Sequence, residues 1–212
     1  DAVRAVADTL RIVYTPLHGS GNMPVRRMLS ELGIKNVTVV KEQEAPDPNF
    51  STVKVPNPED PAAFTLAIKL ANEVGADAIF GTDPDCDRVG IAVRHNGEYK
   101  LMTGNEVGCM LTEYILSRRQ AHGELKENAA IVKTIVTSEL IRAIANDYNA
   151  EVFDLLTGFK YIGELIEQLK DKGEEERFEI GMEESYGYLS GTHVREKDAV
   201  NGAMIIIEMA AY

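Results

Sequence analysis

The sequence predicts an α/β fold: two consecutive three-layer α/β domains with mostly parallel mixed sheets, spanning residues 1–120 and 121–212. Three observations predict it. Short apolar runs alternate with stretches at helical spacing of about 10–15 residues, the pattern of strand–helix units whose strands pair in parallel. A polar stretch, Arg118–Asn128, holds Gly123 and few apolar residues, and the alternation restarts after it. The length, 212 residues, suits one or two domains of roughly 100–150 residues.

The elements follow in order. Leu10–Tyr14 (LRIVY) is a short apolar run and reads as a buried strand. A glycine-rich turn follows, and Pro24 at a first helical position opens a helix through Leu32. Asn36–Val40 is a second strand. Residues 42–61 hold five prolines, Pro46, Pro48, Pro56, Pro58 and Pro61, and predict a long irregular loop of the kind that usually serves function or is disordered. Ala62–Val74 is a helix ended by Gly75, and Asp77–Phe80 is a strand running into GTDPDCDR. Val89–Arg94 and Glu98–Met102 flank Asn96-Gly97, a strong hairpin signal. Thr103 then starts a helix, with Glu106 three residues on as a capping box.

In the second half Ala130–Val136 is a strand, Glu139–Tyr148 a helix and Glu151–Leu155 a strand. Tyr161–Lys172 is a helix ended by Gly173, and Phe178–Met182 is a strand. A loop over 183–200 leads into the last helix. The halves share no sequence repeat. In such sheets ligands bind beyond the carboxyl ends of the strands. The three unusual loops, 15–22, 81–88 and 183–198, all follow predicted strands.

Composition narrows the function. The chain is 44% hydrophobic and 26% charged, which suits a packed core and not disorder. With 22 basic against 34 acidic residues its net charge is −12. That weighs against nucleic acid as a partner, since phosphate neutralisation needs clustered Lys and Arg, and against a polybasic membrane anchor. No run approaches the ~18 apolar residues of a membrane span, and no signal peptide opens the chain. Cys86 and Cys109 lie far apart and form neither a disulfide framework nor a zinc cage, which fits a reducing, cytoplasmic setting. The chain opens at Asp1 without a Met and stops inside an apolar helical stretch, Ala203–Tyr212, so it reads as a fragment of a longer protein.

The sharpest motif is Asp83-Pro84-Asp85-Cys86-Asp87-Arg88. Three carboxylates at alternate positions after an apolar strand can converge on one hard cation, and Mg²⁺ suits oxygen ligands with room left for a phosphate. Pro84 stiffens the loop, and Arg88 is a fixed cation that could hold a phosphate oxygen. A solvated acidic turn is the bland alternative, disfavoured because three close like charges repel without a counter-ion. An EF-hand also begins D-x-D-x-D but fails here, since its Gly position is Arg88 and its closing Glu position is Arg94. Asp85-Cys86-Asp87-Arg88-Val89 also resembles the D-x-D-x-[TV] signature of haloacid-dehalogenase phosphatases, with Asp85 as nucleophile, although Gly81–Pro84 intervene between it and the strand.

Other features are weaker alone. Gly19-Ser20-Gly21 faintly echoes a dinucleotide fingerprint, but its third glycine position is Pro24, and a tight strand-to-helix turn fits better. His18 beside it reads as a structural hydrogen bonder. Thr157-Gly158 is either a helix entry turn or a site whose amides and hydroxyl bind hydroxyls or an anion. Glu183-Glu184-Ser185-Tyr186-Gly187 puts a carboxylate and a hydroxyl on a Gly-containing loop, a way to grip sugar hydroxyls. His193-Val194-Arg195-Glu196-Lys197-Asp198 is either a solvated charge run or a phosphate contact with a lysine near a proton-transfer site. Desolvation or nearby cations would lower that lysine's pKa and suit it to general acid–base work.

Taken together, YTPLHGSG, PDPNFSTVKVPNPE, GTDPDCDR, TGFKYI, EESYGY and HVREKDA resemble, in family order, the α-D-phosphohexomutases, the phosphoglucomutases and phosphomannomutases. The resemblance spans nearly the whole chain and is closer to the branch with EESYG followed by REKD than to the bacterial branch with E-x-S-G-H. Members have four domains, and these motifs look like those of the second and third. The resemblance implies that Asp83, Asp85 and Asp87 bind Mg²⁺, with Arg88 beside them. It implies that Glu183 and Ser185 hold sugar hydroxyls, that Thr157 and Gly158 form a sugar-binding turn, and that Lys197 is the general acid or base. Arg195 is implied to lie near a phosphate. Ala199 departs from the family, where many relatives have Gly after Lys-Asp.

The phosphoserine loop, an S-H-N-P-like motif of the first domain, and the phosphate-binding loop of the fourth are not among these residues. For the intact protein the resemblance implies that a phosphoserine phosphorylates a hexose phosphate. The bisphosphate then reorients, and the serine is rephosphorylated from its other end. Mg²⁺ would sit between the aspartates and the serine phosphate. The expected partners are hexose phosphate, hexose bisphosphate and the flanking domains of the same chain, and the fragment alone is expected to be inactive. A haloacid-dehalogenase-like phosphatase and a non-catalytic sugar-phosphate-binding module are the alternatives.

Overall fold

The structure, a computed structural model, describes residues 2–212. One sheet holds β1 (Arg11–Thr15), β2 (Asn36–Val39), β3 (Ala78–Thr82), β4 (Val89–His95) and β5 (Glu98–Leu101), in the order β2-β1-β3-β4-β5. β1 is parallel to β2 and β3, and β4 and β5 add an antiparallel hairpin edge. A second sheet holds β6 (Ala130–Thr134), β7 (Glu151–Leu155), β8 (Phe178–Glu183) and β9 (Gly187–Leu189), in the order β7-β6-β8-β9. Here only β9 is antiparallel to its neighbour. The two mixed, partly parallel sheets are the expected architecture.

The helices are α1 (Ala2–Val6), α2 (Asn22–Glu31), α3 (Lys41–Glu44), α4 (Thr65–Val74), α5 (Gly104–His122), α6 (Leu140–Asp147), α7 (Phe159–Asp171) and α8 (Ala199–Ala211). Strand side chains alternate between two cores, because successive residues point to opposite faces. In β1, Val13 joins Ala67 and Ala71 of α4 on one face, while Ile12 and Tyr14 join Val25 and Leu29 of α2 on the other. In β6, Ala130 and Val132 join Ile162 and Ile166 of α7, while Ile131 joins Ile141 of α6. Burial on both faces is why these strands read as continuous apolar runs.

The core between the sheets is filled largely by α8, which touches α1, α2 and β4 of the first half and α5 and β9 of the second. Ala203, Ile205, Ile206 and Ile207 are all buried there. Among the described residues no helix is long and apolar enough to cross a membrane.

Several boundaries differ from expectation, each for a local reason. Pro24 is the third residue of α2, still within the first turn, whose N–H groups have no intrahelical acceptor. The stretch read as a linker from Arg118 begins as the last turn of α5, which runs to His122 and closes on left-handed Gly123. α5 packs against β8, α6 and α8. The strand from Ala130 ends at Thr134, because Thr134 and Thr137 turn back on each other. The last helix starts at Ala199, where the Asp198 carboxylate accepts the Val200 and Asn201 N–H groups. α1 and β9 were not expected; five and three residues are too few to show a period.

Candidate active site

The aspartate loop is a turn folded back on its own first carboxylate. Asp83 directly follows β3 and is 2% exposed. Its Oδ1 accepts the backbone N–H groups of Asp87 at 3.1 Å and Arg88 at 3.0 Å. Cys86 takes the left-handed conformation, φ 62°, that reverses the chain. Carboxylate oxygens of Asp83, Asp85 and Asp87 thereby lie within 4.8 Å of one another.

Gly19-Ser20-Gly21 is the seat of this turn. The Ser20 N–H donates to Pro84 O at 2.8 Å. A Cβ at Gly19 would stand 2.4 Å from Pro84 Cα, and one at Gly21 would meet Thr82, Tyr14 and Cys86. His18 bonds Ala45 O and Thr52 Oγ1 and clips the proline-rich loop in place, the structural role expected of it.

Electrostatics mark the same loop. Burial pushes the Asp83 carboxyl up to about 7; the Arg88 N–H opposes this, and Asp87 and Asp85 reinforce it. Burial acts on Asp87 too, but hydrogen bonds with Lys197 and Asp83 outweigh it and hold that carboxyl below its ordinary value. Arg88 lies 3.1 Å from Asp83 Oδ2 and 3.5 Å from both Asp87 Oδ1 and Glu59 Oε1. Asp87 Oδ1 is nonetheless buried without a hydrogen-bond partner. An orphaned anionic acceptor beside two further carboxylates is an all-oxygen donor set that fits a hard divalent cation.

Lys197 joins this loop to the second sheet. Its Nζ lies 2.9 Å from Asp87 Oδ2, 3.8 Å from Glu183 Oε2 and 3.1 Å from Glu196 Oε1. The other oxygen of Glu183 accepts the Gly158 N–H at 2.9 Å. Gly158 has φ 116°, which favours glycine at this helix entry. The two carboxyl edges are stitched by backbone bonds, Val89 N–H to Tyr186 O and Ala199 N–H to Cys86 O, each 3.1 Å. Gly187 completes the contact, since a Cβ there would stand 2.4 Å from Lys197 Cδ.

The sequence expectation for the lysine needs correction. Burial does push the Lys197 ammonium down, but hydrogen bonds with Asp87 and Glu196 outweigh it and its pKa is raised. Its nearest charged neighbours are anions, not cations.

The structure therefore gathers Asp83, Asp85, Asp87, Arg88, Lys197, Glu183 and Gly158, with exposed Thr157 beside Gly158 and half-buried Ser185 in the β8–β9 turn. Arg195 is not drawn in. Its guanidinium pairs with Glu167 of α7 and donates to the Thr192 and Val194 carbonyls.

Sequence reasoning missed a group behind the Glu183 turn. Thr134 and Thr137 hydroxyls lie 2.7 Å apart and reach Glu184 Oε2 at 2.9 and 3.1 Å. Lys133, wholly buried, pairs with Glu139 and Asp154 at 2.7 Å and donates to Thr137 O. The signal for it was a lysine interrupting the apolar strand AIVKT.

The family model described as phosphoglucomutase/phosphomannomutase, alpha/beta/alpha domain II, matches residues 2–97. Its domain III counterpart matches residues 103–212. A phosphoglucomutase of Staphylococcus aureus strain USA300 is 41% identical over 203 residues, 95% of this chain and 36% of its own length. The chain thus spans about a third of the length of the curated relatives it matches. A phosphoglucomutase/phosphomannomutase family protein from Burkholderia thailandensis has the same fold, with a TM-score of 0.75 at 17% identity, over 99% of this chain and 42% of that one. So does an N-acetylphosphoglucosamine mutase of Aspergillus fumigatus solved with glucose 1,6-bisphosphate, with a TM-score of 0.61 at 13% identity, over 99% of this chain and 45% of that one. With the two family models covering nearly its whole length, this chain belongs to the phosphoglucomutase/phosphomannomutase family and corresponds to that family's second and third α/β/α domains.

Proposed function

We propose that this chain supplies the metal-binding and sugar-binding parts of a phosphohexomutase that interconverts hexose 1-phosphate and hexose 6-phosphate through a hexose bisphosphate. The observation that carries the proposal is Lys197, whose ammonium lies 2.9 Å from an aspartate of one domain and 3.8 Å from Glu183 of the other. A group that gives or takes a proton thus stands between the place for a phosphate and the place for a sugar.

Asp83, Asp85 and Asp87 would hold Mg²⁺, which when bound neutralises charge developing on a transferred phosphoryl group. Glu183, with one oxygen fixed by Gly158, and Ser185 accept and donate hydrogen bonds to sugar hydroxyls. Thr157 adds a hydroxyl at the rim. Lys197 gives its proton to a sugar oxygen as that oxygen leaves a phosphorus, and takes one from the hydroxyl that attacks. Arg88 balances the carboxylates, and Arg195 braces the 192–198 loop against α7.

The phosphoryl carrier belongs to flanking parts of the full-length protein, and the isolated chain does not turn over. We place the junction of the two domains between Leu101 and Gly104, since α5 packs on the second sheet. The two free cysteines suit a reducing, cytoplasmic setting.

The test is conversion of glucose 1-phosphate and mannose 1-phosphate by the full-length protein with Mg²⁺ and a trace of the bisphosphate. Conversion of either supports the reading, and conversion of neither across the hexose phosphates overturns it. Asp85→Asn is expected to weaken Mg²⁺ binding, read by calorimetry, and to lower turnover at least about a hundredfold while the circular-dichroism spectrum stays unchanged. Unchanged turnover in that variant would remove the metal assignment.

A further inference from the structure

Between Glu183 and Ser185 stands Glu184, and it faces a different set of partners from its neighbours. Its Oε2 accepts from the hydroxyls of Thr134, 0% exposed, and Thr137, 4% exposed. The two hydroxyl oxygens are themselves 2.7 Å apart. Three oxygens in a triangle share only two hydroxyl protons, so the carboxylate is the natural acceptor at its apex.

The turn bearing these threonines is itself held. Lys133 donates to the carbonyls of Thr134 and Thr137, at 3.3 and 3.1 Å, and is locked by Glu139 and Asp154. Ser138 N–H donates to Asn105 Oδ1 at 2.8 Å, which ties the turn to the start of α5. From the other side Gly104 closes on the main chain of Glu184: a Cβ at Gly104 would stand 1.9 Å from Glu184 O. Tyr188, wholly inside the core, donates to Gly104 O at 3.1 Å and fixes that wall. Side chain and carbonyl of one residue are thus both gripped, midway between the two side chains that would meet the sugar.

We propose that Glu184 is a positioning residue: anchored by Thr134 and Thr137 over buried Lys133 and walled by Gly104, it sets the backbone from which Glu183 and Ser185 meet the hexose. The sugar part of this rests on the function proposed above; the anchoring part does not. It assigns the paired threonines and the buried lysine a role in substrate geometry, beyond holding β6 to β7. An unanchored turn would let the sugar-binding groups drift, and a displacement of about 1 Å can cost on the order of a hundredfold in rate.

The test uses the full-length protein and four variants. Glu184→Ala removes the acceptor, Glu184→Gln keeps an acceptor oxygen of the same reach, Thr134→Val with Thr137→Val removes both donors, and Gly104→Ala pushes from the wall. Backbone amide exchange over 183–187 is followed by mass spectrometry, alongside hexose-phosphate KM, kcat and Mg²⁺ affinity. Glu184→Ala, the double valine and Gly104→Ala should each speed exchange in that segment and raise KM roughly tenfold or more, with Mg²⁺ affinity unchanged. Glu184→Gln should restore both to within about threefold, and Glu184→Ala added to the double valine should cost little more than either, because they break one unit.

Unchanged exchange over 183–187 in Glu184→Ala overturns the anchor. Faster exchange with KM and kcat unchanged overturns its role in substrate geometry. If the wild-type protein converts no hexose phosphate, the functional reading fails by itself, and the exchange data still decide the anchor. A variant that does not fold is replaced by Thr137→Val alone, whose exchange decides on the same terms.

Discussion

Lys197 reaches Asp87 and Glu196 with its ammonium, and their hydrogen bonds outweigh the cost of burying it. In the proposed cycle this lysine takes a proton from the attacking sugar hydroxyl in the first transfer and returns one to the leaving sugar oxygen in the second. Lys197→Met is therefore expected to lower kcat by about a hundredfold to ten-thousandfold, with KM changed far less. Steady-state kinetics on the full-length variant decide it, and a loss confined to KM would mean that the lysine only binds. Most of the gathered residues were legible in the sequence because alternate aspartates, a carboxylate with a hydroxyl two residues on and a basic run are local patterns. Their spacing did not reveal the sign of the lysine's environment. Asp87 and Glu183 approach it from 110 and 14 positions away, counted from Lys197, and only the fold brings them there. The threonines behind Glu184 escaped notice for the same reason, being about fifty residues upstream of it.

β8 shows how an irregular element places charge. Its register against β6 shifts between Ala130 and Ile131, so Phe178 and Ile180 enter different cores. The residue between them, Glu179, is 4% exposed and meets Arg119 of α5 at 3.1 Å. Burial raises the Glu179 pKa, and Arg119 only partly opposes it. Arg119 is itself pushed down by burial, but Glu179 and Glu124 outweigh that and raise it, so the ion pair exists while the acid still bears a net desolvation cost.

A carboxyl whose folded pKa is raised binds its proton more tightly when folded. The stability it contributes is present below the ordinary glutamate value and is lost as pH rises through the raised one. Urea unfolding between about pH 4.5 and 7 should therefore show wild-type stability falling relative to Glu179→Gln. Parallel profiles for the two proteins would contradict this. At this scale the sequence revealed strand and helix identities, since β1, β3 and β6 each hold three consecutive apolar residues and β8 carries Phe178, Ile180 and Met182 at alternate positions. It did not reveal β9, because three residues carry no period, or the length of α5, because its polar last turn looks like a linker.

At the scale of the whole molecule the two sheets share one interior. α8 is common to both, with Ile206 at 1% exposure among side chains from each. Ile206→Ala is expected to cost roughly 2–5 kcal/mol and to lower the protection of β1 and β6 amides together. Loss of protection in one sheet alone would show that they open separately. The strand–helix alternation announced two sheets, but their fusion depends on which face of the last helix meets which half, and a helix apolar nearly all round gives no direction.

That shared helix bears on how such a protein can be altered by recombination. A crossover between β5 and α5 would part the sheets cleanly along the gene, yet α8 would arrive from one parent to fit α1 and α2 from the other. A viable chimera would have to carry α1, α2 and α8 as a co-inherited set, so the unit that exchanges intact is the seam, not the domain.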